Sequence, residues 1–324
     1  MEKRLQTYID WMKARTSSVS RLKSLHFAAD CSNGMASLLV HELFPGAIVI
    51  NDTLDGTFPN HSPNPLKPEA REQIAALVRG QKLDCGVIFD GDADRCMFVD
   101  ERGEFVQPDY LIPVVARATL SCREDFRRET GDSGLSSSVL CPRVIHDVRT
   151  SRGAIEELRR MGCELVMVPV GHAFAKPILR ESGAVCGGEL AGHYYFSEFH
   201  GCDSGVLAAL RILGEIAKAK AEGKSFSEMM RPISGVYANS GEMNFRVEDK
   251  NAAIARVLSC AAASLPPSVS RSEIDGIRIE YVEGWVNIRK SNTEPYLRLI
   301  VECDTAERLK KWVGILKGAI NDAR

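Results

Sequence analysis

The sequence lacks the features that direct a protein to nucleic acid or to a membrane. Its 324 residues carry a formal net charge of −2, so no basic surface for nucleic acid or anionic lipid is indicated. It has no apolar run near the roughly 18 residues of a membrane span, and no apolar signal segment follows Met1. Its ten cysteines include no CxxC pair and no histidine spacing suited to zinc. We therefore expect a cytoplasmic protein whose cysteines are reduced core thiols.

The sequence does contain a cluster of three carboxylates, Asp90, Asp92 and Asp94, followed directly by Arg95. The cluster comes after residues 83–89, an apolar run typical of a strand, and ligands gather at the carboxyl ends of strands in α/β folds. Three ionised carboxylates this close repel one another unless a cation offsets the repulsion. Oxygen ligands favour Mg²⁺ or Ca²⁺. The loop therefore predicts a divalent-cation site, with Arg95 as a phosphate ligand.

Two other interpretations compete with this one. Aspartate and glycine are common in solvated turns, which bind nothing. An EF-hand loop starting at Asp90 would place Glu101 at its twelfth position. Its sixth position, however, is Arg95, where that motif needs glycine, and a strand rather than a helix precedes the loop.

The order of the predicted elements indicates an α/β protein with two successive α/β domains, each with a mixed sheet, followed by a C-terminal α+β domain with an antiparallel sheet. The predicted domains are residues 1–103 with the metal loop, 104–236 and 237–324. A strand at 25–30, a helix at 35–43 and a strand at 47–51 form the first βαβ unit. Residues 121–138 are polar and lack an apolar period, which predicts a surface loop.

Two further loops carry groups suited to a sugar phosphate. In residues 186–193, glycines allow close approach of the backbone to a ligand, and Glu189 and His193 can hydrogen-bond to hydroxyls. In residues 289–295, two cations and two hydroxyls surround a turn, and such groups bind a dianionic phosphate. An ordinary glycine-rich turn and a polar hairpin are the respective alternatives.

Together and in this order, the three loops resemble those of the α-D-phosphohexomutase superfamily, the phosphomannomutases and phosphoglucomutases. The segment DGDADR is similar to the metal loop of that superfamily, GGELAGH to its sugar loop and RKSNTEP to its phosphate loop. Shorter matches at residues 55–59, 63–65, 147–151 and 171–172 extend the resemblance over essentially the whole chain.

The resemblance implies interconversion of hexose 6-phosphate and hexose 1-phosphate, with Mg²⁺ as cofactor and a phosphorylated hexose as the molecule bound. It implies that Asp90, Asp92 and Asp94 ligate the metal and that Arg95 contacts the phosphoryl group in transit. The remaining implied roles are sugar binding by Glu189 and His193, binding of the distal phosphate by Arg289, Ser291, Asn292 and Thr293, a ligand-facing position for Arg149, and a position near the reacting oxygen for His172. For a lone histidine such as His172, a satisfied core residue is the alternative.

The sequence also departs from the superfamily. The first domain, which carries a phosphorylated serine in a TxSHNP-like loop, has no counterpart here, so we expect the chain alone to be inactive. Residues 60–65 bear a passing likeness to that loop, but Ser62 is not expected to act as the nucleophile. Ala191 stands where many members have serine. The hypotheses are an incomplete phosphohexomutase, with a separate serine domain as partner or a truncation, a catalytically silent sugar-phosphate-binding protein, and a metal-dependent phosphatase.

Overall fold

The computed structural model describes residues 2–16, 19–130, 141–291 and 295–321, which form three sheets in succession along the chain. The first two sheets mix parallel and antiparallel pairs, and the third is antiparallel. The predicted fold class is therefore confirmed. The domain division at 103 and 236 stays a prediction, and the first sheet extends to Val106.

The first unit has a five-stranded sheet in the order β2-β1-β3-β4-β5. Its elements are α1 (Glu2–Arg15), α2 (Val19–Leu22), β1 (Phe27–Asp30), a 3-10 turn (Met35–Leu38), α3 (Val40–Leu43), β2 (Ile48–Ile50), a 3-10 turn (Pro68–Arg71), α4 (Glu72–Gln81), β3 (Cys85–Phe89), β4 (Cys96–Asp100) and β5 (Phe105–Val106). The continuous helix predicted for residues 35–43 is wrong, because Leu39 has a φ of −123° and divides it into two short turns. Strand β4 was not predicted; it runs antiparallel to β3, so residues 90–95 form the turn between them.

The second unit also has a five-stranded sheet, in the order β10-β9-β8-β6-β7. Its elements are a 3-10 turn (Pro108–Leu111), α5 (Ile112–Thr130), β6 (Arg143–Asp147), α6 (Arg152–Arg160), β7 (Glu164–Val168), α7 (His172–Ser182), β8 (Cys186–Gly188), β9 (Tyr194–Phe196), a 3-10 turn (Ser197–Phe199), β10 (Cys202–Asp203), α8 (Gly205–Ala221) and α9 (Phe226–Ser234). The predicted loop at 121–138 is wrong over residues 121–130, which continue α5; they contain no glycine or proline and several strong helix formers. Its remainder lies outside the described residues.

The third unit has an antiparallel sheet in the order β11-β16-β15-β14-β13, with β12 also paired to β16. Its elements are β11 (Ala238–Asn239), β12 (Met243–Arg246), α10 (Lys250–Ser264), β13 (Ser270–Ser272), β14 (Ile277–Tyr281), β15 (Gly284–Lys290), β16 (Tyr296–Cys303) and α11 (Ala306–Asn321). Helices α10 and α11 pack against each other, and α11 packs on β16. This unit has an apolar core of its own.

The first two units share one apolar core, whereas the third is attached by buried arginines. Phe98 of β4 packs edge-on against Phe226 of α9, with ring centroids 6.0 Å apart, so the core crosses between the units. Arg278 of β14 donates from Nη1 to the carbonyl oxygens of Val148 (2.6 Å) and Thr150 (3.0 Å) in the second unit. These contacts fix the three sheets so that their loops converge.

The cysteines and helices bear on two further expectations. The ten cysteines, which all fall within the described residues, form no disulfide, but Cys141 is exposed, so the prediction of core thiols is wrong for that residue. Cys31, Cys85 and Cys96 are among those that are buried as predicted. Within the described residues, no helix has the length and apolar character needed to cross a membrane.

Candidate functional site

Asp90, Asp92 and Asp94 lie in the β3–β4 turn, and a ligand oxygen of each comes within 4.8 Å of the others. Asp90 directly follows β3 and is 2% exposed, whereas Asp92 faces solvent. Ala93 takes a left-handed φ of 63°, and its N–H donates to the Asp90 carbonyl oxygen, which closes the turn. Hard oxygen donors on so short a turn fit a divalent cation such as Mg²⁺. The three side chains are thus brought together as the sequence predicts.

Arg95 is the internal counter-ion of this turn. Its backbone N–H donates to Oδ1 of Asp90 (3.1 Å) and its Nε donates to Oδ2 (2.6 Å). Burial raises the pKa of Asp90, and the charge of Arg95 opposes that rise. The guanidinium also contacts Asn64, with Nη1 3.4 Å from Oδ1. Arg95 therefore lies at the edge of the cation site, where it can meet an incoming anion.

The sugar loop consists of β8 and a tight turn before β9. Glu189 is 1% exposed, and its Oε1 accepts from the Tyr195 hydroxyl (2.5 Å) while its Oε2 accepts from the Gly171 N–H (3.2 Å). Burial, and then the charge of Asp147, raise the pKa of Glu189. Gly192 has a φ of 88°, and a Cβ there would lie 2.9 Å from the end of a neighbouring methionine, so glycine is favoured.

The metal and sugar loops are joined through their backbones. Arg95 and His193 form an isolated antiparallel bridge, and the Cys96 N–H donates to the Gly192 carbonyl oxygen (3.3 Å). Farther along, Gly205 at the start of α8 packs so tightly on Arg95 that a Cβ would lie 2.5 Å from its carbonyl carbon. The relative position of the two loops is therefore set by the backbone rather than by flexible side chains.

His193 lies between carboxylates from two units. Its Nδ1 is 3.2 Å from Oδ2 of Asp203 and 3.7 Å from Oδ2 of Asp94. Burial lowers the pKa of His193, but these neighbours, led by Asp203, raise it overall. Lys176 holds the other oxygen of Asp203 at 2.8 Å. The His172 ring packs edge-on against His193, with centroids 5.8 Å apart, so both predicted histidines lie at the metal loop.

Arg149 lies in the turn after β6, next to the sugar loop. Asp147 holds it, because Oδ2 accepts from Nη2 (2.5 Å) and Nε (3.0 Å) of Arg149. The same oxygen accepts from the Leu190 N–H (3.1 Å). Burial alone would raise the pKa of Asp147, and Arg149 reverses the shift. The 4%-exposed guanidinium of Arg149 is therefore a fixed cation beside Glu189, 3.8 Å from its Oε2.

The phosphate loop follows β15, and the structure locates two of its four predicted residues. Arg289 is 2% exposed, and its Nη2 donates to Oε1 of Glu242 (2.8 Å) while its Nη1 lies 3.9 Å from Asp275. Ser291 is buried, and its N–H donates to the carbonyl oxygen of Tyr296 (2.9 Å). The other two predicted residues, Asn292 and Thr293, lie outside the described residues.

Short contacts connect all three loops into one site. Asp94 lies 3.7 Å from His193, whose carbonyl oxygen accepts from the Glu189 N–H (3.0 Å). Arg149 links Glu189 to Glu242, and Glu242 contacts Arg289. A cation, a polyhydroxylated ligand and a phosphate could therefore bind side by side along this line.

The sequence matches three models of one family in succession. Residues 6–103 match the phosphoglucomutase/phosphomannomutase alpha/beta/alpha domain II, residues 108–235 match domain III, and residues 242–316 match the C-terminal domain. The chain belongs to the phosphoglucomutase/phosphomannomutase family. The resemblance to the α-D-phosphohexomutase superfamily is thereby confirmed, and each matched domain of this family contributes one loop of the site.

Individual members of the family agree with this assignment. A Xanthomonas campestris protein named phosphohexose mutases is 35% identical over 287 residues, which are 87% of this chain but 59% of that relative. The crystal structure of a Burkholderia thailandensis family protein, 25% identical, superposes with a TM-score of 0.74 over 98% of this chain and 64% of its own. The Aspergillus fumigatus N-acetylphosphoglucosamine mutase, solved with GlcNAc-6P and magnesium, shares the fold at 15% identity, with a TM-score of 0.63 over 97% of this chain and 65% of its own. The chain thus spans less than two thirds of these relatives.

Three carboxylates at the site of this phosphoglucomutase/phosphomannomutase family member were missed by the sequence reasoning: Asp203, Glu242 and Asp275. They stand outside any spaced motif, and tertiary contacts alone bring them to the loops. A signal existed for Asp203, because Ser204 caps α8, and a Ser before an apolar helical run marks a helix start. For Glu242 and Asp275 the sequence offers no comparable signal.

Proposed function

We propose that this chain supplies the metal, sugar and distal-phosphate loops of an enzyme that interconverts hexose 6-phosphate and hexose 1-phosphate. The observation that carries the proposal is the unbroken line of contacts from Asp94 through His193, Glu189, Arg149 and Glu242 to Arg289. The names of the relatives support the reaction class, and the donor set of the β3–β4 turn supports a divalent cation, with Mg²⁺ as the proposed one.

Each group has a role that follows from its chemistry. Asp90, Asp92 and Asp94 would hold Mg²⁺, which neutralises charge on a phosphoryl group during transfer. Arg95 would leave part of its contact with Asp90 and bind an oxygen of that phosphoryl group. The buried Glu189 carboxylate accepts hydrogen bonds from sugar hydroxyls, and its fixed partners orient it in advance.

The distal phosphate would be bound by fixed cations and hydroxyls. Arg149 and Arg289 offer guanidinium forks, and Ser291 with Asn292 and Thr293 would add hydroxyl and amide donors. Holding the non-reacting phosphate fixes which end of the sugar faces the metal. His172 stays proposed as a residue near the reacting oxygen, and Arg149 as a residue that faces the ligand.

The transfer itself needs a nucleophile that relays the phosphoryl group. The matched domains are II, III and the C-terminal one, and the chain spans 59% of the Xanthomonas campestris relative. We propose that a serine-bearing domain, acting as partner in the cytoplasm, supplies the relay. A catalytically silent sugar-phosphate-binding protein is the second candidate, favoured by the same observation, because the matched domains supply binding groups.

Calorimetric titration with Mg²⁺ present tests the site. Glucose 6-phosphate should bind, and free glucose should bind far more weakly, because the fixed arginines contribute hydrogen bonds to charge of about 1.5 to 3 kcal/mol each. Glu189→Gln should weaken the binding of glucose 6-phosphate and leave the affinity for inorganic phosphate unchanged. Glu222→Gln, a control at an exposed residue, should alter neither affinity. Equal affinities for glucose and glucose 6-phosphate would refute the proposal.

A further inference from the structure

Glu242 occupies the centre of a cluster of arginines. It lies between β11 and β12, and its side chain is 18% exposed. Its Oε1 is 2.8 Å from Nη2 of Arg289 and 3.6 Å from Nη1 of Arg149, and its Oε2 is 2.9 Å from Nη1 of Arg298. Arg149 belongs to the second unit and the other two arginines to the third, so one carboxylate contacts cations that are distant in the sequence.

The same arginines include two of the proposed phosphate ligands. Carboxylate and phosphate oxygens are both acceptors for a guanidinium fork, so they compete for the same N–H groups. With Glu242 in place, Nη2 of Arg289 already donates to the Glu242 carboxylate. A phosphate can therefore use all the donors of the Arg289 guanidinium only if the hydrogen bond between Arg289 and Glu242 breaks.

We propose that Glu242 is an internal anion that takes the place of a phosphate oxygen in the ligand-free site and is displaced when a dianionic phosphate binds. The inference rests on the proposed function. It makes Glu242 a specificity-determining residue. A monoanion brings no more charge than the Glu242 carboxylate, so replacing that carboxylate at the arginines gains little binding free energy. A dianion offers more charge and more acceptor oxygens to the same arginines, so the site selects phosphate esters over carboxylates.

The structure has room for the displaced side chain. A cavity of about 400 Å³ opens beside it, and its lining includes Arg149, Glu242, Asn239 and Asn244. The Asn244 amide offers N–H donors to a carboxylate that moves away from Arg289, whereas Nδ2 of Asn239 already donates to Oε2 of Glu302 (2.9 Å). Gly241, directly before Glu242, has a φ of 66°, and no heavy atom of the described residues comes within 4 Å of a Cβ placed on it, so the loop is unobstructed there.

Titration of inorganic phosphate by calorimetry tests the exchange without requiring sugar or turnover. Glu242→Gln keeps the size and one acceptor oxygen but removes the charge, so it should bind phosphate roughly tenfold more tightly than wild type. Glu280→Gln is the matched control, because Glu280 lies in the same unit and pairs with Arg278 and Arg152, each at 2.7 Å, away from the phosphate loop. Its phosphate affinity should equal that of wild type.

A second variant guards against loss of folding. Glu242→Asp retains the charge but shortens the reach toward Arg289, so its phosphate affinity should fall between those of wild type and Glu242→Gln. Unchanged or weaker phosphate binding in both Glu242 variants would overturn the inference while leaving the proposed function standing. Absence of phosphate binding in wild type and variants alike would overturn the phosphate site itself, and the inference with it.

Discussion

Substitution of Asp92 is the most informative perturbation of the metal site. Asp92 faces solvent, so Asp92→Asn removes a charge without opening the core. Asp90, by contrast, is 2% exposed, and both of its carboxylate oxygens accept hydrogen bonds from Arg95. Its substitution would therefore destabilise the fold as well as weaken metal binding. The ligand oxygens of the three aspartates lie within 4.8 Å of one another, close enough to bind one ion.

The expected size of the effect follows from linkage. A ligand that binds only the folded state stabilises it by about 2.7 kcal/mol at one hundred times its dissociation constant. If the loss of one carboxylate weakens Mg²⁺ binding about a hundredfold, the same concentration equals the new dissociation constant and the gain falls to about 0.4 kcal/mol. The first two units share one core and together have the size of a domain of roughly 150 to 250 residues. For such a domain, 2.7 kcal/mol corresponds to a rise in Tm of roughly 5 to 10 °C. This rise should be nearly lost in the variant.

Differential scanning calorimetry with and without Mg²⁺ measures this difference. Asp10→Asn, on the exposed side of α1, is a control with the same chemical change far along the chain from the loop. Wild type and the control should show the same Mg²⁺-dependent rise in Tm. An equal rise in Asp92→Asn would refute the assignment of the β3–β4 turn as the cation site.

Two further predictions concern single side chains. Arg289→Ala should weaken glucose 6-phosphate binding tenfold or more in a calorimetric titration, whereas the exposed Arg271→Ala should not; equal affinities would contradict the phosphate loop. The ring of His61 lies between two acceptors, Oδ2 of Asp30 (3.1 Å) and the carbonyl oxygen of Ser62 (2.9 Å), and its hydrogen bond to Asp30 raises the pKa of His61 despite burial. The charged ring therefore stabilises the fold fully below its ordinary pKa of about 6.5, and this contribution is lost as pH rises through the raised value. Urea unfolding from pH 6 to 9 should show a fall in stability that His61→Gln flattens, and an identical slope in the variant would exclude this pair as the cause.

The sequence predicted best where short-range pattern and long-range packing agree. Apolar and polar residues do not alternate in residues 83–89, because β3 is buried on both faces. The apolar run and the Asp-rich turn that follows it could therefore be predicted from the sequence. The same holds for the third unit, whose predicted antiparallel sheet includes the strands Ile277–Tyr281 and Tyr296–Cys303. The placement of Glu189 beside Gly171 and Tyr195 could not be read in advance, because no local pattern encodes that contact.

The failures have two physical causes. Residues 121–130 have no apolar stripe, and their helix continues because their intrinsic helix propensity is high. A search for hydrophobic periodicity does not detect propensity. Glu242 reaches the site through pairing of β11 and β12 with β16, which lie far apart in the chain. Asp203 reaches it through pairing of β10 with the nearby β9. The roles of the site residues therefore follow from tertiary contacts that motifs mark only in part.

The central proposal is that this chain supplies the metal, sugar and distal-phosphate loops of a hexose phosphate mutase and that another domain supplies the phosphoryl relay. Phosphorus NMR of glucose 1-phosphate with Mg²⁺ and a trace of glucose 1,6-bisphosphate measures it most directly, with the chain alone and mixed with the separately produced first domain of a relative. We predict no conversion to glucose 6-phosphate by the chain alone, and conversion in the mixture that Asp92→Asn abolishes. Robust conversion by the chain alone, unchanged by Ser62→Ala, would contradict the account.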